Sequence, residues 1–191
     1  MKKIILAAIT GGIILWVWGF LAWVVFPLHK PSIRNISNED AVIEVLRTNM
    51  DAKGVYIFPG MPADYNQASM EAYTQKYMRG PMGMIIYDPQ GSDPMMASQF
   101  INGLIIFIIS AFLAAWFLSR STAAASSYFA RVLFCGMLGI VVSVFTYLSA
   151  WNWMGYPLDY TTAMMIDAIV GWLLAGFGIA AIVKVAKTET A

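Results

Sequence analysis

Apolar residues dominate four stretches of the chain, 4–26, 100–118, 132–150 and 163–183. A helix rises about 1.5 Å per residue, so each stretch reaches across a hydrocarbon core of roughly 30 Å. The pattern predicts an α-helical integral membrane protein with four transmembrane helices. Residues 27–99 separate the first two spans and read differently. Ser37, Asn38, Glu39 and Asp40 form a helix start, with an N-cap candidate and acids in the first turn. Val42, Val45 and Leu46 follow at helical spacing. Residues 54–58 read as a short strand stopped by Pro59 and Gly60. A second amphipathic helix is expected over about 67–79, ended by Gly80 and Pro81. A second strand comes next over 82–87, then a turn at Asp88, Pro89, Gln90 and Gly91. Pro94 is placed as the first residue of a helix that runs on into the membrane. The expected insert is thus a small α/β (αβαβ) extracytoplasmic domain. Two strands joined by a helix favour a right-handed parallel crossover. Such a sheet is marginal alone and needs support from helices, the membrane or a partner.

The small residues of the last two spans add a packing expectation. Gly136, Gly139, Ser143 and Thr146 fall on one helical face, as do Ala168, Gly171, Ala175 and Gly178. Small stripes let helix backbones approach closely within lipid. The connection is short, so the two helices are expected as antiparallel neighbours with a turn centred at Pro157. That register sets Gly139 opposite Ala175 and Ser143 opposite Gly171.

Composition sharpens the class. The chain is 59% hydrophobic and 12% charged, about half the charge of a soluble domain. A net charge of +1 with no basic cluster excludes a nucleic-acid partner. The single cysteine, Cys135, lies inside the third run and reads as a small buried apolar residue. Lys2, Lys3, Arg120, Arg131, Lys184 and Lys187 fall in three short segments, opposed only by Glu189. By the positive-inside rule both termini, including the 184–191 tail, are cytoplasmic and residues 27–99 lie outside, periplasmic in a bacterium. The first run lacks a small-residue cleavage site at its end and reads as an uncleaved anchor. Trp151, Trp153, Tyr156 and Tyr160 in a 151–162 outer loop fit an interfacial aromatic belt, whereas Trp16 and Trp18 sit deep and read as packing.

Candidate chemistry is sparse. Asp167 is the one carboxylate well inside a span, about 9 Å from the outer boundary by helical rise. Intramembrane acids mark sites by default, but such a residue can also simply hold helices together. The same register sets it opposite Tyr147, with Asn102 at similar depth. A lone acid without a base in the membrane makes a poor proton path. His29, the only histidine, is expected at the interface where the first span ends. Methionine is concentrated toward the outer half, with pairs Met95, Met96 and Met164, Met165 at two helix ends. With His29 these make a weak Cu(I) candidate; the alternative is that methionine fills irregular cores. Motifs for metalloproteases, serine hydrolases, nucleotide binding and dithiol chemistry are missing. No cofactor is implied and no enzyme is expected.

Leu28 with His29, the run Glu39, Asp40, Ala41, Val42, the stretches 54–62 and 80–81, the phrase 151–157 and Gly171 with Trp172 together resemble a family of small bacterial four-span inner-membrane proteins of unknown function. The resemblance implies a bacterial source and the four-span layout, and carries no activity. The leading expectation is an accessory or scaffold protein acting through contacts with itself or another membrane protein. Trp151, Asn152, Trp153 and Tyr156 would belong to its partner surface. A small oligomeric transporter using Asp167, and an outer-surface copper binder, are the alternatives.

Overall fold

The computed structural model describes residues 1–121 and 127–184. Lys187 and Glu189 lie outside the described residues, as does the middle of the connection between the second and third spans. Contacts divide the chain into two units, Arg34–Asp93 and the remainder. Among the described residues, four helices are long and apolar enough to cross a membrane: Lys2–Val25, Ala97–Arg120, Tyr128–Met154 and Leu158–Ile182. The chain is accordingly a multi-pass membrane protein.

The first span consists of α1 (Lys2–Phe20) continued by a π-helical turn, Leu21–Val25. The second unit comes next, with α2 (Glu39–Asn49), β1 (Gly54–Phe58), α3 (Gln67–Arg79) and β2 (Gly83–Tyr87). The second span is α4 (Ala97–Arg120). The third is α5 (Tyr128–Val142), a π-helical segment Ser143–Leu148 and α6 (Ser149–Met154). The fourth is α7 (Leu158–Ile182). Local chemistry explains several boundaries. Asn38 and Asn66 cap α2 and α3 through Ala41 N and Ser69 N, and Ser127 caps α5 through Ala130 N. Gly80 and Gly155 end helices at positive φ, where a side chain would strain the backbone.

Four expectations are corrected. The strands pair antiparallel, Gly54 opposite Tyr87 and Phe58 opposite Gly83, rather than parallel. The connection through α3 leaves and re-enters at the same end of the ladder, so no crossover along the strands is made. Pro94 does not open α4: Pro94 and Met95 form a turn, and the helix starts at Ala97. Residues 151–154 are helical, so Trp151, Asn152 and Trp153 belong to α6 and only Gly155, Tyr156 and Pro157 connect it to α7. The register of the last two spans also differs. A Cβ on Gly139 would meet Ala168 O at 2.9 Å and Trp172 Cβ at 3.0 Å, and Ser143 Oγ donates to Met165 O at 3.2 Å. The reversal is centred near Gly155 because the third span continues to Met154. Gly171 and Gly178 consequently face α1, toward Trp18 and Ile14. Thr146, within the π segment, is exposed.

In the bundle α1 lies against both α4 and α7, and α7 lies against both α1 and α5. Ala7, Ala111, Ala114, Ala115, Leu118, Cys135, Ala175 and Ile179 belong to its buried core. Backbones come close there. A Cβ on Gly12 would stand 2.7 Å from Ile108 Cα, and one on Gly176 would stand 2.9 Å from Cys135 Cβ. Where lipid removes the hydrophobic drive between helices, such approach supplies dispersion contact.

The Arg34–Asp93 unit has no buried residue. Its sheet turns Val55, Ile57 and Ile86 outward at 61%, 65% and 78% exposure. Lys53 Nζ reaches Asp88 Oδ2 at 2.7 Å, and with the Gln90 N–H holds that carboxyl below the ordinary carboxylate range.

Candidate functional site

Asp167 sits on α7 in the half of the bundle nearest the α6–α7 connection. Its side chain is not solitary. Trp18 Nε1 donates to Asp167 Oδ1 at 2.6 Å and lies 3.1 Å from the backbone oxygen of the same residue. His29 Nε2 lies 3.0 Å from Asp167 Oδ2. A part-buried carboxylate with two hydrogen-bond partners is satisfied where a bare one would not be.

His29 reaches this position through a reversal of the chain. The π-helical turn ends at Phe26, whose backbone is extended, and Lys30–Ser32 form a 3₁₀ turn. Ser32 Oγ donates to His29 O at 2.8 Å and fixes that turn. The imidazole stacks on Trp23, with ring centroids 3.9 Å apart and planes 16° from parallel. It is 2% exposed. The expected interfacial histidine is therefore a buried one, because the reversal after Phe26 folds it back onto α7. Its Nδ1 is buried and has no hydrogen-bond partner among the described residues.

Asp167 opens on its other side into a cavity of about 580 Å³. The wall includes Trp16, Trp18 and Trp23 from the first span, Phe100 and Phe107 from α4, and Tyr147 from the third. Among the described residues, Asp167 is the one charged group in that wall. Trp16 Nε1 donates to Phe100 O at 3.3 Å and ties α1 to α4 at the rim. Both π-helical segments contribute, Leu21–Val25 through Trp23 and Ser143–Leu148 through Tyr147. A π turn inserts one residue into a helix and rotates the residues beyond the insertion, which re-aims these two rings.

Of the residues proposed from sequence, Asp167 and Tyr147 share the cavity. Asn102 does not join them: it is exposed, and its neighbours Gln99 and Gly103 line the wall instead. Met164 lines the cavity, Met165 is half-buried, and Met95 and Met96 are exposed. His29 turns Nε2 to Asp167 and not toward these thioethers. Among the described residues no group of three or more His, Cys, Asp or Glu could hold a metal ion. Trp153 is 81% exposed, Trp151 and Asn152 are exposed, and Tyr156 packs edge-on against Tyr160.

Trp18 and the His29 contact escape sequence reasoning. The one signal for Trp18 is general: a deep indole N–H needs an acceptor. Nothing in the spacing pairs the first span with the fourth, since they are not consecutive. Comparison with protein-family models, with curated proteins and with solved structures finds no match to this chain.

Proposed function

We propose that this chain is a non-enzymatic, multi-pass protein of the bacterial inner membrane that binds a small solute or ion inside its bundle, at Asp167. Both termini are cytoplasmic in this reading and residues 27–99 periplasmic, as the distribution of basic residues supports. The observation that carries the reading is the contact between His29 and Asp167 at the wall of an aromatic cavity. It supplies the titratable partner that a lone intramembrane acid lacks, in a place where buried ionisable groups are costly unless they serve a purpose. Native mass spectrometry of the chain released from its own membrane tests it. The wild type is expected to carry a small adduct that Asp167→Asn loses. Identical adduct-free spectra for the two proteins would sink the reading.

A second reading rests on a separate observation. The uncovered apolar face at Val55, Ile57 and Ile86 supports an accessory or scaffold role through protein contacts of residues 34–93. Crosslinking in native membranes followed by mass spectrometry is expected to capture a stoichiometric partner, or a second copy, through this face. Ile57→Asp should abolish that crosslink. Undiminished crosslinking would place the contact elsewhere.

A further inference from the structure

The geometry points to a lipophilic organic monocation, an alkyl- or arylammonium, as the ligand of the Asp167 cavity. This inference rests on the solute-binding reading above and adds the ligand's chemical class. Charge is the first argument. With its proton on Nε2, His29 donates to Asp167 and leaves Nδ1 a bare lone pair. Asp167 is the one acidic group in the wall, and no basic side chain among the described residues lines the cavity beside it.

The walls are the second argument. Trp16, Trp18, Trp23, Phe100, Phe107 and Tyr147 line the same cavity as the carboxylate, and the faces of such rings attract cations. Hard metal ions need a shell of oxygen ligands, and this wall offers one carboxylate and otherwise mostly carbon and ring faces. An anion would meet both the carboxylate and the ring faces repulsively. A neutral hydrocarbon would fit the space but gain nothing from Asp167. An ammonium carrying apolar substituents uses both features. The volume of about 580 Å³ lies in the range of small-molecule sites.

The test uses the full chain in lipid nanodiscs, with empty nanodiscs subtracted. Benzyltrimethylammonium is the probe, and neopentylbenzene is its isostere with carbon in place of the charged nitrogen. Tryptophan fluorescence reads binding, because three of the wall residues are tryptophans. The cation is expected to bind saturably and about tenfold or more tighter than the isostere. Asp167→Asn, which keeps the shape of the side chain, should erase that preference. Should this variant fail to fold, Trp16→Leu keeps the carboxylate and is expected to weaken the cation about three- to tenfold while leaving the isostere unchanged. Equal binding of the two probes would overturn the assignment of a cation and leave a small-solute cavity standing. Binding of neither would overturn both. A cation preference that survives Asp167→Asn would also overturn it.

Discussion

The two ends of the membrane bundle solve opposite problems. At one end, Ala7, Ala111, Ala114, Ala115, Cys135 and Ile179 pack into a core with helices in near-backbone contact. At the other end, the same helices carry Trp16, Trp18, Trp23, Phe107 and Tyr147, which line an open-sided cavity with a carboxylate in its wall. Small side chains allow close approach. Large planar rings line the space between the first span and α4 instead, while the third and fourth spans stay close beside it at Gly139 and Ala168. Leu15 belongs to both regions, closing the core and lining the cavity. One end thus serves as the fixed part of the bundle and the other as the place where polar groups are gathered. The π-helical segments fall in the second half only, with Leu21–Val25 on the first span and Ser143–Leu148 on the third. A regular 3.6-residue repeat suits uniform packing, and its interruption suits a site.

Substitutions can break this contrast. The largest effect is expected at Gly12, where an added methyl meets backbone atoms of Ile108 that cannot turn aside. Gly12→Ala should cost about 3 kcal/mol, read as loss of stability in detergent-mediated unfolding. Retained stability would show that the tight end is not tight. Asp167→Ala comes next. It leaves the buried His29 ring without its acceptor and should cost about 2 kcal/mol. Trp18 is less affected because its N–H keeps the backbone oxygen of residue 167. A neutral result would mean that the pair contributes nothing to folding. Gly155→Ala forces a side chain onto a backbone with φ of 70°, and about 1 kcal/mol should be lost in the same assay.

At the cavity end, Gly103→Ala should stabilise by about 0.5 kcal/mol, because nothing stands within 4 Å of the new methyl and alanine favours the helix. The difference between Gly12 and Gly103 is the most direct measure of how unlike the two ends are. An exposed pair supplies the reference for His29 and Asp167. Lys53 and Asp88 meet at 2.7 Å in water. The lysine, with the Gln90 N–H, lowers the Asp88 pKa, so any stabilisation from the pair is complete above the ordinary value of about 3.9 and fades as pH falls through the lowered one. Lys53→Gln should move the Asp88 titration, followed by NMR, back toward that value and leave stability nearly unchanged.

Much of the fold is legible along the chain. The four spans announce themselves because lipid tolerates only long apolar helices, and 100–118 and 132–150 fall inside the helices found. The helix start at residues 37–40 and the stops at Pro59 and Gly80 are local chemistry, so α2, β1 and the end of α3 can be read from a few residues each, whereas the Asn66 cap of α3 escapes that reading. Asp167 stands out because a carboxylate in such a run is rare. Register is harder to read. The stripe Gly136, Gly139, Ser143 meets Leu173, Ala168 and Met165 rather than Gly178, Ala175 and Gly171, because the turn position depends on where a helix stops at Gly155. The direction of β2 depends on how the chain returns from α3, which no pattern within the strand encodes.

Short-range periodicity and the demands of the solvent are written along the chain, and they are enough for the spans, the caps and the presence of one buried acid. The surroundings of that acid are not written there; they arise only when the helices assemble. His29 lies just past the first span and Asp167 lies in the fourth, and nothing in either neighbourhood states that they meet. They are joined by the reversal after Phe26 and by the packing of α1 on α7. Trp18 looks like any deep aromatic until its N–H is found on the carboxylate. Contacts between distant segments depend on how whole helices pack, and that is a property of the assembled bundle.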